Sequence, residues 1–399
     1  MVGQMVPPAR RSNYHPPMGP LAGIRIVEFA GIGPGPFCAT LLADMGAEVL
    51  RLDRVTPSGL GLPTQPRFDP LGRGRCSVAV DLKDPRGVAF ALDLVATADG
   101  LIEGFRPGVM ERLGLGPEAC MARNPSLVFG RITGWGQDGP MAREAGHDIN
   151  YIALAGVLGC IGPPGGKPVP PINLVGDYGG GGMFLAFGML AAMMEAARSG
   201  KGQVVDAAMT EGAAYLTLPM FGWRGSGLWN APRGENVLDG GAPWYDAYRT
   251  ADGRWVSIGA IEAKFYANLL EVLQLAGEAL PAQHDRDGWP VLRRRFEQAF
   301  ASADRDEWCR RFENRDACFA PVLDADELAA HPQHAARGAF IDVGGLMQPA
   351  PAPRFSRTPP AAPSPARAAG DGGAEALLHW GMTEVDIDEL RGAGVIACT

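Results

Sequence analysis

The chain has 399 residues, 46% hydrophobic and 20% charged, which is ordinary globular composition with length for two to three domains. Its 44 acidic and 36 basic residues leave a net charge of −8, which excludes binding driven mainly by nucleic-acid phosphates and leaves room only for a local basic pocket. The 55 glycines and 35 prolines announce many tight turns and long connections, and seven scattered cysteines without a C-x-x-C pair support neither a zinc site nor a redox dithiol.

The first twenty residues are polar and carry five prolines. No apolar run follows Arg10-Arg11, so no secretory signal is expected. Residues 21–54 read as a β-α-β start: the alternating Ile24-Arg-Ile-Val-Glu-Phe, the turn Gly31-Ile-Gly-Pro-Gly-Pro, a helix begun at Pro36 and ended at Gly46, then Glu48-Val-Leu-Arg-Leu. A Gly/Pro-rich loop (56–74) precedes the strand Ser77-Val-Ala-Val-Asp-Leu, and Asp84-Pro85 opens the next helix. Leu101-Ile-Glu and Leu127-Val-Phe-Gly-Arg-Ile add short strands. Strands alternating with helices predict an α/β fold with a parallel sheet covered on both faces.

From Gly139 to Gly182 the chain is turn-rich, with a helical pattern near 149–158. A long apolar helix (about 181–198), the strand Gly202-Gln-Val-Val-Asp and a helix around 210–218 follow. The strongly apolar stretch Met183–Met194 is short of the ~20 residues a bilayer requires, so no membrane association is expected. Residues 223–250 read as an irregular linker. A second region begins at Arg254-Trp-Val-Ser-Ile-Gly, with helices at 262–275, 289–301 and 304–314 and a strand at Phe319-Ala-Pro-Val-Leu. Seven prolines make 345–372 an extended crossing segment, and Thr383-Glu-Val-Asp-Ile-Asp-Glu-Leu reads as a short capped helix.

Gly31-Ile-Gly-Pro-Gly-Pro suggests a dinucleotide fingerprint with Asp53 as the ribose acid. Pro36 stands where the third glycine is required, which favours a plain turn and disfavours a nicotinamide cofactor. Arg54, Arg67, Arg73, Arg75 and Lys83 fall near strand ends, where open α/β sheets bind ligands. They are either a phosphate-binding set or scattered surface charges. His147 lies in Glu144-Ala-Gly-His-Asp-Ile-Asn-Tyr, and Asp177 in Asn173-Leu-Val-Gly-Asp-Tyr-Gly-Gly-Gly-Gly. Asp177 fits an N-cap at the start of the apolar helix. Four glycines behind it are costly in a helix, however, and imply the close approach of a ligand or another backbone. A histidine and an aspartate beside glycines also form a candidate pair of opposed proton-transfer groups. Met183, Met209 and Met220 read as core packing or as the lining of an acyl channel.

The runs beginning Pro20-Leu-Ala-Gly-Ile-Arg-Ile-Val-Glu-Phe-Ala-Gly, with Leu52-Asp-Arg, Val80-Asp-Leu-Lys, Phe105-Arg-Pro-Gly-Val-Met-Glu-Arg-Leu-Gly and Gly134-Trp-Gly-Gln-Asp-Gly-Pro, resemble the family III CoA-transferase superfamily. Gly146-His-Asp-Ile-Asn-Tyr, Gly176-Asp-Tyr-Gly-Gly-Gly, Gly200-Lys-Gly-Gln-Val-Val-Asp and Leu238-Asp-Gly-Gly-Ala-Pro-Trp-Tyr-Asp are similar to its α-methylacyl-CoA racemase branch. The resemblance spans roughly residues 19–360.

It implies a large Rossmann-like parallel-sheet domain and a smaller α+β domain, joined by long linkers in an interlocked homodimer. The expected divisions are an N-terminal extension (1–19), the large domain (20–222), a linker (223–250), the small domain (251–335), a return segment completing the large domain (336–372) and a tail (373–399). It further implies that Arg54 and Val80, Asp81, Leu82 and Lys83 contact coenzyme A. Gly146, His147, Asp148, Ile149, Asn150 and Tyr151 would line the thioester. His147 and Asp177 would be the acid/base pair, supported by Glu262 from the other subunit's small domain, and Arg112 would be an active-site arginine. The substrate expected is a 2-methyl-branched acyl-CoA of lipid metabolism, inverted at its α-carbon without metal or separate cofactor. The expected compartment is cytoplasmic. Transferases of the superfamily keep an aspartate at the position of Asp177, as a nucleophile, and lack the histidine. His147 therefore favours proton transfer, with CoA transfer through Asp177 as the alternative.

Overall fold

The computed structural model describes residues 18–399 except 57, 58, 60, 62 and 63, so the expected N-terminal extension lies almost wholly outside the described residues. In chain order the first elements are β1 (Arg25–Phe29), α1 (Pro34–Asp44), β2 (Glu48–Arg54), β3 (Cys76–Val80), α2 (Pro85–Val95), β4 (Gly100–Glu103), α3 (Val109–Arg112), α4 (Pro117–Arg123) and β5 (Val128–Thr133). Next come α5 (Asp148–Leu154), a π-helix (Leu174–Met183), α6 (Phe184–Ser199), β6 (Val204–Ala208), α7 (Met209–Leu216) and α8 (Leu218–Gly225). Then follow β7 (Tyr245–Arg249), β8 (Trp255–Gly259), α9 (Ala263–Val272), α10 (Trp289–Phe300), α11 (Arg305–Phe312), β9 (Phe319–Pro321) and α12 (Pro332–Arg337). The chain ends with β10 (Phe340–Val343), β11 (Leu346–Pro349), α13 (Gly373–His379), α14 (Glu384–Gly392) and β12 (Ile396–Ala397).

The chain divides into two compact units. One holds the residues up to Tyr151, Asn173–Ala213 and Gly338–Thr399; the other holds Ile152–Ile172 and Ala214–Arg337. Relative to the sequence expectation, residues 152–172, 214–222 and 336–337 group with the smaller unit and the tail groups with the large one, while α8 and β7 order parts of the expected 223–250 linker.

The large unit is built on a seven-stranded sheet, ordered β12-β3-β2-β1-β4-β5-β6, parallel throughout except for β12. Ile26, Val27 and Phe29 of β1 are all buried, as expected of a strand covered on both faces. One core face gathers Val27, Leu50, Val78 and Phe129 with α2 and the tail; the other gathers Ile26, Val49 and Val128 with α1 and α6. Chain direction around the sheet reverses between β1 and β4, the switch point where open α/β sheets bind ligands.

Two of the arginines read as candidate phosphate ligands are committed elsewhere. Arg75 is fully buried in an ion pair with Glu28, and Arg73 is buried against Asp44 at 2.5 Å. Met209 belongs to the core.

The π-helix runs directly into α6, giving 26 residues that are long and apolar enough to span a bilayer by length and composition. The apolar helical segment is thus longer than the expected stretch of 183–194. The face carrying Leu185, Ala186, Met189 and Ala192 is buried, and α6 packs on β5, β6 and α1. In the tail, Thr383 and Asp386 cap α14 reciprocally, and β12 pairs Ile396 with Val80. The smaller unit packs α9, α10 and α11 on the antiparallel sheet β7-β8-β9, around Trp244, Phe296, Phe300 and Trp308.

Candidate active site

The turn after β1 enters the switch point. Gly33, with φ at +67°, is the N-cap of α1 and Pro34 takes its first turn, where a missing N–H costs nothing. A Cβ at Gly33 would stand 3.0 Å from Oδ2 of Asp177, a contact the carboxyl would have to shift to relieve. The crevice that a dinucleotide would occupy thus meets the Asp177 carboxyl.

Asp177 is not the N-cap of the apolar helix, which is Asn173; it sits inside the π-helix. Such helices are rare and recur at functional sites. The glycines behind it serve the close approach of other backbone. A Cβ on Gly180 would lie 2.3 Å from the Ala213 nitrogen, and one on Gly182 2.7 Å from the Pro34 oxygen. The π-helix is thereby wedged against the N-terminal end of α1 and against α7.

Three side chains surround Asp177. Asn173 donates through Nδ2 to its Oδ2 at 3.0 Å. Its own backbone N–H donates to Oδ1 of Asp148 at 2.8 Å. His147 is close enough for its charge to favour the Asp177 carboxylate. Burial nevertheless dominates and raises the Asp177 pKa above its ordinary value; Asn173 opposes the rise, the Asp148 charge adds to it, and His147 opposes it.

His147 is exposed just before α5, while Asp148 is buried at its first residue. The His147 N–H is taken by Oδ1 of Asn150 at 3.1 Å. Asp148 and Ile149 supply the next two amides at the open N-terminus of α5, which favours an anion. Tyr151 is buried edge-on against Trp135, and its hydroxyl donates to the Gly146 carbonyl, fixing the turn below His147.

The expected coenzyme A residues cluster at the same end of the sheet. Arg54 ends β2 opposite Val80 of β3, is exposed, and lies 6.0 Å from the Phe105 ring. The Asp81 N–H donates to the Val395 carbonyl, and Oδ1 of Asp81 accepts the Lys83 N–H at 3.0 Å. The Leu82 side chain packs on the core, leaving its backbone for any ligand, and Lys83 is exposed. Arg112 ends α3, exposed beyond the β4 switch-point loop. Glu262 belongs to the other unit, exposed at the N-cap of α9. A cavity of about 570 Å³ in that unit is lined by Asp239, Tyr245, Asp246, Ser257, Cys318 and Phe319, none of them an expected site residue.

Sequence reasoning missed Asn173, the Asp148 side chain and Gly33. The i,i+4 spacing of Asn173 and Asp177 was the available signal for the first.

The arrangement offers a half-buried carboxyl of raised proton affinity, an exposed imidazole and open helix amides, with Arg54 exposed at the end of β2. The sequence pattern of CoA-transferase family III matches residues 21–371. Alpha-methylacyl-CoA racemase of Mus musculus is 45% identical over 379 residues, covering 94% of this chain and 97% of that protein. The same enzyme of Homo sapiens is 45% identical over 381 residues, with the same coverage. In structure, a CAIB/BAIF family protein from Brucella suis superposes with a TM-score of 0.77 at 24% identity, covering 91% of this chain and 100% of that one. The chain belongs to CoA-transferase family III.

Proposed function

We propose that the protein interconverts the two epimers of 2-methyl-branched acyl-CoA thioesters by proton transfer through an enolate. The observation that carries this reading is the seating of Asp177: half-buried on Gly33, held by Asn173, and within the field of His147. The similarity to mouse and human alpha-methylacyl-CoA racemases supports it over CoA transfer, as does the histidine, which has no task in a nucleophilic aspartate mechanism.

The thioester acidifies the α-C–H only modestly, so negative charge on its oxygen must be stabilised as it forms. The Asp148 amide, first in α5, is the donor assigned to that oxygen, because the His147 amide is already engaged. One of His147 and Asp177 removes the α-proton from one face, and the other delivers a proton to the opposite face. An unperturbed aspartate would hold its proton too weakly to act as the acid. Burial corrects this by raising its pKa. Arg54, the Val80–Lys83 segment and Arg112 would hold coenzyme A, which is part of the substrate, and no separate cofactor enters the scheme.

Glu262, supplied by a second copy of the chain, would orient His147 within an interlocked homodimer. Apolar side chains left exposed, among them Phe187 and Phe221, support a second copy. Seven free cysteines support the cytoplasm as compartment. The test is α-deuterium incorporation from D₂O into each enantiomer of a 2-methylacyl-CoA. Exchange with inversion is expected. Adducts trapped by hydroxylamine at Asp177, with no α-deuterium in recovered substrate, would assign a transferase instead.

A further inference from the structure

We propose that Asp148 is a positioning residue for this reaction: its buried carboxylate clamps the backbone of Asp177 and presses a second negative charge against the Asp177 carboxyl. The inference rests on the racemase reading for the use made of Asp177, while the clamp itself is geometry.

Asp148 is only 6% exposed. Its Oδ1 accepts the Asp177 N–H at 2.8 Å, and its Oδ2 is buried with no hydrogen-bond partner among the described residues. Because Asp148 follows His147 directly, this one side chain ties the segment carrying the imidazole to the π-helix carrying the carboxyl. An uncharged acceptor would also take that N–H, through a weaker hydrogen bond. Burying a carboxylate with one oxygen unpaired is a costly way to make one hydrogen bond. The charge therefore has a second consequence, felt by the nearest titratable group.

That group is Asp177. The charged and titratable residues that act on it or on its neighbour are Asp148 and His147 at the start of α5, Tyr151 within α5, and Arg106 of the β4–α3 loop, which acts on Tyr151. Of these, Asp148 favours the protonated carboxyl and His147 the ionised one. A group that accepts a proton in one direction and donates it in the other needs a proton affinity above that of a free aspartate. Asp148 supplies part of that increment from a position fixed by its own hydrogen bond.

The experiment uses the full-length protein labelled with ¹³Cγ-aspartate, with the Asp177 resonance assigned by its loss in Asp177→Asn. Asp148→Asn keeps an amide oxygen to accept the Asp177 N–H and removes only the charge. The Asp177 titration midpoint should fall by about one unit. The acid limb of deuterium exchange, for the enantiomer deprotonated by Asp177, should move down with it, with KM constant within about twofold. Asp148→Ala also loses the clamp, and its exchange kcat should fall about tenfold below that of Asp148→Asn. A midpoint in Asp148→Asn within about 0.2 unit of wild type overturns the proposal. Equal exchange rates in the Asn and Ala variants overturn the clamp. If Asp148→Ala fails to fold, the Asn titration decides alone. A shifted midpoint in Asp148→Asn, together with a wild-type protein that exchanges no deuterium, would sink the racemase reading and leave the Asp148 assignment standing.

Discussion

Two proton-transfer groups on opposite faces of a carbon make a prediction that one group cannot. With Asp177→Asn, only His147 remains to form the enolate, so only the enantiomer whose proton faces the imidazole exchanges deuterium. With His147→Ala the preference reverses, and neither variant inverts. Exchange followed separately for each enantiomer checks this; the same enantiomer preference in both variants would refute the opposed arrangement. For the enantiomer served by Asp177, the acid limb should lie above the usual aspartate value of about 3.9, because burial raises that carboxyl and the base must be ionised. Arg54 sits at the ligand end of β2 and is exposed, so Arg54→Ala should leave folding intact. It removes a charge-assisted contact of ~1.5–3 kcal/mol and should raise KM for the CoA ester roughly 10- to 100-fold, measurable by steady-state kinetics and by titration with free CoA. The residues alone offered His147 and Asp177 as a candidate pair beside glycines, with an N-cap as the plainer reading of Asp177, and the family resemblance supplied their proposed roles. Asn173 was not legible in the sequence, and Asp148 was expected only to line the thioester, not to bond Asp177. An amide and a second carboxylate become partners of Asp177 only once the π-helix and α5 bring them within hydrogen-bond range.

At the scale of elements, the strands and most helices were readable from alternation and caps: Asp84 accepts the Arg86 N–H at the start of α2, and Thr383 caps α14. The π-helix was not readable. A run of four glycines signals close approach, but the approaching backbones are α1 and α7, distant in sequence, and only tertiary packing selects the π register. The short edge strand β12 was also missed, since two residues carry no periodicity and gain strand form by pairing with β3. Gly33 is where the fold and the chemistry meet most closely, joining α1 to the carboxyl of the π-helix. Gly33→Ala places a methyl 3.0 Å from Oδ2 of Asp177 and keeps a backbone φ of +67° that alanine adopts poorly. The expected cost to stability is about 1–3 kcal/mol, read from the urea midpoint. Exchange of the enantiomer served by Asp177 should fall more than that of the enantiomer served by His147. A uniform loss for both would show a general packing defect in place of a displaced carboxyl.

For the whole molecule, the α/β class followed from the alternation of strands and helices, and the strand order 3-2-1-4-5-6 needed the structure. What one chain leaves unexplained is its surface. Phe187 and Met194 on α6 are 74% and 69% exposed, and Phe221 and Leu228 of the smaller unit are 70% and 63% exposed. We propose that a second copy of the chain covers these exposed apolar side chains. If Glu262 acts on the partner's His147, the two residues belong to different chains in each active site. Co-expressing His147→Ala and Glu262→Ala chains with different tags, and isolating the doubly tagged dimer, separates the cases. In the exchanged arrangement, one site of that dimer receives His147 from one chain and Glu262 from the other, and its twin receives neither. About half of the wild-type racemisation should return, although each homodimeric variant is impaired. If each chain completed its own site, both sites would carry one lesion and no activity would return. Gel filtration at twice 42.1 kDa, unchanged on dilution, must accompany the recovery. A monomeric wild type with full activity would remove the second copy from the mechanism altogether.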